Sequence, residues 1–236
     1  MAKRSYGQDC PVARALDVIG ERWTLLIVRE LLLGPKRFKD LLARLPAMGT
    51  TRLSDRLKAL EGHGVVTKRT LPPPGDVQAY VLTPYGERLR PIVTMLGAWG
   101  AELPIPEDGD GLPARKETVA LVLAGLSPPQ LSEGLSESYE FHVDGEVFHA
   151  LVDDGTVTVQ SGPDLHRATA TVTCDPRTFD ALLRGRTTLE RAVAGHRATA
   201  SGDPAALDRV FTVLRFRVGD VTGQRYSDSR TRAANS

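Results

Sequence analysis

Between Lys36 and Arg69 the chain gathers the side chains best suited to gripping a polyanion: Lys36, Arg37, Arg52, Arg56, Lys58, Lys68 and Arg69, interleaved with the hydroxyls of Thr50, Thr51 and Ser54. A guanidinium can engage guanine O6 and N7 together, whereas ammonium and hydroxyl groups suit phosphate oxygens, which position a protein without reading sequence. Leu53, Leu57 and Leu60 recur at helical spacing and must face a core. Thr51, Asp55 and Lys58 then point the opposite way, with Arg52 and Ser54 flanking them and Arg56 nearer the buried edge. Arg52, in the first turns of this helix, is the base-reading candidate, and Thr50 and Thr51 can bond phosphates or touch a thymine methyl. Asp55 is awkward beside DNA: it either accepts from a cytosine amine or holds Arg52 or Lys58 by an i±3 pair. Lys36, Arg37, Lys68 and Arg69 read as backbone clamps.

The elements around these residues form an ordered series. A helix starts at Cys10-Pro11 and ends near Gly20, carrying Val12, Leu16 and Ile19. The stretch from Arg22 to Leu33 is apolar on most sides, as a central helix would be, and closes at Gly34-Pro35. A short helix runs from about Lys36 to Leu45, and Pro46-Ala47-Met48-Gly49 turns the chain into the helix of the leucine stripe. Gly62-His63-Gly64 ends that helix. A strand over 65–70, a loop at Pro72-Pro73-Pro74-Gly75-Asp76 and a returning strand over 77–82 make a basic hairpin. Thr83-Pro84 starts the next helix, and Glu87 to Leu103 is predicted helical, with Leu89, Ile92, Val93, Leu96 and Trp99 as its stripe. Helix, turn, helix and hairpin in this order predict a winged helix-turn-helix, one element for a groove and one for the adjacent backbone.

Composition agrees with a division of labour. The 236 residues suffice for two modest domains and carry a net charge of +1. Residues 1–100 hold 16 Lys and Arg against 9 Asp and Glu, and residues 101–236 hold 14 against 20. The basic half is thus the one with the helix-turn-helix, and the acidic half is unsuited to nucleic acid. No apolar run is long enough to cross a bilayer, so no membrane partner is expected. Two cysteines, Cys10 and Cys174, cannot build a disulfide framework, and the cytoplasm is the expected compartment.

The expected organisation is a winged helix-turn-helix domain over 1–103, a Pro, Gly and acid-rich linker over 104–114, an α+β domain over 115–226 and a disordered tail over 227–236. In the second half a helix over about 115–126 precedes strands. Asp144-Gly145 joins Tyr139–Val143 to Glu146–Ala150 through a two-residue turn that pairs Phe141 with Phe148. Asp153-Asp154-Gly155 turns the chain into Thr156–Val159, and Ala168–Cys174 alternates small apolar residues with Thr. Asp175-Pro176 and Asp203-Pro204 are helix starts, and Thr188–Val193 is a shorter helix.

Cys10-Pro11-Val12, Ala15-Leu16-Asp17-Val18-Ile19-Gly20, Trp23 through Leu31, Arg37-Phe38, Leu53, Arg56-Leu57, Leu60-Glu61, and Tyr80, Leu82-Thr83-Pro84 and Gly86 resemble the HxlR family of winged-helix transcriptional regulators over about residues 8–100. The resemblance implies a homodimer on a palindromic double-stranded DNA operator, with the dimer surface on the N-terminal helix and on the helix carrying Leu96 and Trp99. Asp55 occupies a position where the family often has a neutral polar residue, so its base preference is not carried over. Some members sense oxidants or electrophiles with a cysteine at the place of Cys10, which here opens a helix, where the dipole lowers a thiol pKa.

Cys174-Asp175-Pro176, Phe179, Leu182-Leu183 and Gly185, followed by Leu189, Ala192, Gly195 and Gly202-Asp203, resemble sterol-carrier-protein-2 type domains. The resemblance implies a curved, mainly antiparallel sheet and helices around an apolar cavity for a small hydrophobic effector, lined by Phe141, Phe148, Val157, Val172, Phe179 and Leu183. His142 and His149 share a hairpin face but lack a third ligand at metal-site spacing, and no nucleophile-elbow or phosphate-loop pattern occurs. No metal, cofactor or enzymatic activity is therefore expected. Three readings remain: a ligand-responsive regulator, in particular a repressor; a regulator switched through Cys10; and a lipid-carrier or interaction protein that does not bind DNA.

Overall fold

A computed structural model describes residues 5–71, 77–103 and 114–214. The hairpin tip at Pro72–Asp76, nearly all of the expected linker and the expected tail lie outside these residues. In the first half, α1 (Pro11–Ile19) starts with Cys10 as an extended cap and Pro11 in its first turn. Next come α2 (Thr24–Leu32), α3 (Phe38–Arg44) and α4 (Thr50–Gly62). Strands β1 (Val66–Thr70) and β2 (Gln78–Leu82) pair antiparallel, and Lys36 bridges to Tyr80 as a further pairing beside β2. Ile27, Val28, Leu31, Leu41, Met48, Leu53, Leu57 and Leu60 close the core of this half.

The helical stretch predicted to start at Thr83-Pro84 and run to Leu103 is split in two, α5 (Pro84–Glu87) and α6 (Arg90–Gly100). The reason is Pro91: it has no N–H to donate to the carbonyl of residue 87, and its fixed φ suits the first turn of a new helix. Thr83 caps α5, its hydroxyl accepting from the Gly86 N–H at 3.1 Å. Of the expected stripe only Val93 is buried; Ile92, Leu96 and Trp99 are exposed, as are Val12 and Leu16 on α1.

In the second half α7 (Lys116–Leu126) leads into β3 (Ser136–Val143), β4 (Glu146–Asp153), β5 (Thr156–Ser161) and β6 (Ala170–Cys174). Helices α8 (Pro176–Leu183) and α9 (Leu189–Ala194), strand β7 (Ala198–Gly202) and helix α10 (Pro204–Val213) complete it. The sheet has the order β5-β4-β3-β6-β7, antiparallel except where β3 meets β6. Strand β7 was not foreseen, because Ala-Thr-Ala-Ser-Gly offers no hydrophobic alternation. Asp144 and Gly145 both take positive φ, the geometry of a two-residue hairpin turn, and Phe141 faces Phe148 in the resulting register.

That register puts Tyr139, Phe141, Val143, Phe148, Ala150, Val152, Val159 and Val172 on one face of the sheet, all buried. Here the expected cavity lining is corrected. Phe141 stacks on Phe148 at 5.2 Å between ring centroids, and both meet Phe179 edge to face at 5.5 and 5.7 Å. Phe211 from α10 closes the group. With Val157 and Val172 buried beside them, these side chains fill the space between sheet and helices as a packed core. Leu183 borders a cavity that lies between helices.

The two halves share one hydrophobic core, joined through α7, which packs on both α6 and the sheet. The α6–α7 crossing is close: a Cβ on Gly97 would lie 2.7 Å from Val122, and one on Gly125 would lie 2.5 Å from the Thr94 hydroxyl. Glycine at both places lets the backbones approach.

Candidate nucleic-acid interface

Helix α4 has the two faces expected of it. Leu53, Leu57 and Leu60 are at most 1% exposed, while Thr50, Thr51, Arg52, Ser54, Asp55 and Lys58 are open to solvent. The stripe exists because residues three and four apart share a helix face, and it joins the apolar cluster that includes Ile27, Val28, Leu31, Leu41 and Met48. Arg56 is half-buried and approaches Glu21 at 3.9 Å. Among the described residues Asp55 makes no ion pair with Arg52 or Lys58, so the expected i±3 pairing is not formed. Instead Asp55, Arg52 and Arg56 border a surface cleft with Glu21, Arg22 and Trp23. Arg22, whose guanidinium lies 5.6 Å from the Trp23 ring, thereby joins the cationic group around α4. It lies outside the helix-turn-helix in sequence, and only the fold brings it alongside.

On the hairpin, Lys68 and Arg69 are exposed but differ in setting. Lys68 lies opposite Tyr80, its ammonium 5.3 Å from the ring and 3.6 Å from Glu61. Arg69 makes no ion pair among the described residues. Arg37 is half-buried where α3 begins, its backbone N–H donating to Asp40 at 3.1 Å.

Lys36 is the clear correction. It is 6% exposed, and its ammonium donates to the carbonyls of Leu33 and Gly34 at 3.1 and 3.2 Å. The pairing of its backbone with Tyr80 turns the side chain inward under the end of α2, where the last carbonyls of a helix attract a cation. Burial, helped by the nearby Arg44 charge, lowers its pKa to about 8. A side chain so placed reaches no phosphate.

Lys36 belongs instead to a seam between the halves. Arg44 of α3 is hydrogen-bonded to Glu117 of α7 and approaches Glu30 of α2 at 3.3 Å, and both carboxylates are buried. Arg29 and Arg115 complete the network at 2.5 Å from Glu30 and 2.9 Å from Glu117. Burial pulls the Glu117 carboxyl upward, but hydrogen bonds led by that from Arg44 outweigh it and hold the pKa below the usual range. The Ser161 N–H of β5 donates to Leu33 O at 2.9 Å. The second half therefore holds the turn before α3 and α3 itself.

Cys10 is partly exposed at the start of α1, where the N–H groups of Ala13 and then Val12 lower its pKa. Cys174 is buried, and its thiol is pushed up to about 12. His142 bonds Glu140 at 2.7 Å and His149 bonds the Gly162 carbonyl at 2.8 Å, so each imidazole has its own partner. No group of three or more metal-ligating side chains occurs among the described residues.

Residues 18–107 match the model of the HxlR-like helix-turn-helix. YvaP, a helix-turn-helix transcriptional regulator of Bacillus subtilis, is 39% identical over 99 residues, 42% of this chain and 92% of its own. The chain belongs to the HxlR-like helix-turn-helix family. YodB of the same organism, another helix-turn-helix transcriptional regulator, is 34% identical over 42% of this chain and 89% of its own. The solved structure of quinone-bound YodB aligns at 32% identity over 40% of this chain and all of that one, with a TM-score of 0.35. Membership makes the matched residues the DNA-binding, transcription-regulating part of the chain. Residues 128–217 match a different model, that of the alkyl sulfatase C-terminal domain. No helix among the described residues is long and apolar enough to cross a membrane.

Proposed function

We propose that this HxlR-family protein is a ligand-responsive transcriptional repressor that binds a palindromic operator as a homodimer, with the second half as the sensing unit. The observation that carries the reading is the polarity of α4: a leucine stripe fixes its back, and Arg52 leads a solvent-facing row of donors beside a basic hairpin. Arg52 takes a base edge, Thr50, Thr51, Ser54 and Lys58 take the groove walls, and Arg37, Arg56, Lys68 and Arg69 take phosphates. Asp55 accepts from a cytosine amine or orients a neighbouring cation through water.

Dimerisation is supported by two exposed apolar surfaces, Val12 and Leu16 on α1 and Ile92, Met95, Leu96 and Trp99 on α6. Burying both in a two-fold contact removes them from water and spaces two α4 helices for successive major grooves, roughly 34 Å apart. The protein acts in the cytoplasm, where its operators are. Sensing by the second half is supported by the seam, through which Glu117 and Ser161 touch the helix-turn-helix. In this reading the second half is sterol-carrier-like and has no enzymatic activity.

A salt-dependent gel shift and footprint on the protein's own upstream region tests the reading. The expected result is a protected palindrome whose affinity falls steeply with salt. A protein that shifts no fragment is the lipid-carrier or interaction protein instead. The second reading, a redox switch, is favoured by the partly exposed, acidified Cys10 thiol. A Cys10→Ser variant whose operator release by diamide or quinone is unaltered removes it.

A further inference from the structure

Helices α6, α7 and α8 border a half-open cavity of about 350 Å³. Ala98 and Ala101 form one wall, Val119, Leu123 and Leu126 a second, and Leu183 a third. The space exists because α6 presents only Gly97, Ala98 and Ala101 on this side. It stays open because the Gly97–Val122 and Thr94–Gly125 approaches already bring α6 and α7 as close as their backbones allow. Water gains few hydrogen bonds from such a lining, whereas an apolar body of modest size gains contact on three sides.

Charge at the rim narrows the class of occupant. Asp180 borders the cavity but is neutralised by the Lys116 ammonium at 2.8 Å. Arg184, one turn further along, also borders it and makes no ion pair among the described residues. The mouth therefore carries one unmatched positive charge beside an apolar interior. The sheet interior, in contrast, is filled by Phe141, Phe148, Phe179 and Phe211.

We propose that this cavity binds a small amphipathic anion, its apolar body between α6, α7 and α8 and its charged group on Arg184. The proposal rests on the reading of the second half as a sensor and places the effector behind the helix assigned to the dimer contact. Ala101, at the C-terminal cap of α6, lies across the helix from Ile92, Leu96 and Trp99, with Ala98 beside it, so an occupant bears directly on the helix that sets the spacing of the two reading heads.

The test titrates the full-length protein with anilinonaphthalene sulfonate and with N-phenyl-1-naphthylamine, which has a similar body and no charge. Both fluoresce on entering an apolar site, and saturation at one probe per chain is expected. Arg184→Ala should weaken the anion roughly fivefold and leave the neutral probe unchanged, because the contact is exposed to solvent. Ala98→Leu and Ala101→Phe fill the space from two positions, and each folded variant should bind both probes more than tenfold more weakly. Absence of saturable binding, or equal binding by wild type and the folded filling variants, overturns the proposal. A gel shift without probe is run in parallel: DNA binding with no probe site sinks the cavity alone, whereas loss of the shift sinks the regulator reading.

Discussion

Lys36 and Arg52 belong to the same basic half, and in sequence both look like ligands for DNA. Their surroundings separate them. Arg52 stands on the open face of α4, where it makes no ion pair among the described residues and its desolvation is deferred until a partner arrives. Lys36 is desolvated already, held by two carbonyls and close to the buried network of Arg44, Glu30 and Glu117. One group of charges is kept available, and the other joins two halves of the molecule. A cation with buried hydrogen bonds contributes to structure, and only one whose charge still faces water can release counterions from a duplex.

The largest expected effect is at the seam. Glu117→Ala leaves Arg44 buried without its main partner and should cost about 3–5 kcal/mol in urea unfolding. The carboxylate's contribution is complete above its unfolded pKa and is lost as pH falls through the lower folded value, so the variant should also lose part of the acid sensitivity of the wild type. A loss under about 1 kcal/mol would show that the seam does not join the halves energetically. Lys36 gives a slope of the same sign in a higher pH window, but from a charged form that burial disfavours. Its folded pKa of about 8 lies below the ordinary 10.5, so the unfolded chain binds more protons between those values and stability rises as pH increases from 8 to 10.5. The gain should be no more than about 3 kcal/mol and absent from Lys36→Met; parallel pH curves for the two proteins would refute the desolvated ammonium.

On the open face the effects are on binding. Arg52→Ala should cost about 1–3 kcal/mol on the specific operator and relax the preference at one base pair, measured by gel shift against a set of single-position operator variants. Unchanged discrimination would move base reading to another residue of α4 and weaken the contrast with Lys36.

How far the sequence went depended on the range of the interaction involved. The leucine stripe of α4, the Asp144-Gly145 turn and the Asp175 and Asp203 caps are local patterns and were legible. The Phe141–Phe148 pair followed from a two-residue turn alone. The fate of Lys36 was not legible, because it depends on a pairing with Tyr80 and on a buried partner network that draws Glu117 from the other half. The same holds for the proposed cavity lining: alternation identified the inward face of the sheet, but whether that face is hollow depends on how Phe179 and Phe211 meet it from two helices. The break before α6 was missed although Pro91 carries its signal, and the apolar stripe beyond it gave no sign that it faces solvent.

The smallest effect sharpens the comparison most, because it sets two lysines of the basic half against each other. Lys68 is partly engaged by Glu61 at 3.6 Å and by the Tyr80 ring, yet it remains exposed on the hairpin and can turn to a phosphate. Replacing it with Ala should weaken specific and non-specific DNA alike by less than about 1 kcal/mol and lower the slope of log affinity against log salt by about one unit. Lys36→Met should leave both affinity and slope at the wild-type values, since the buried ammonium has no counterion to displace. If the two variants shift the salt slope equally, charge in this half acts as a diffuse field; if only Lys68 does, exposure decides which cations meet DNA.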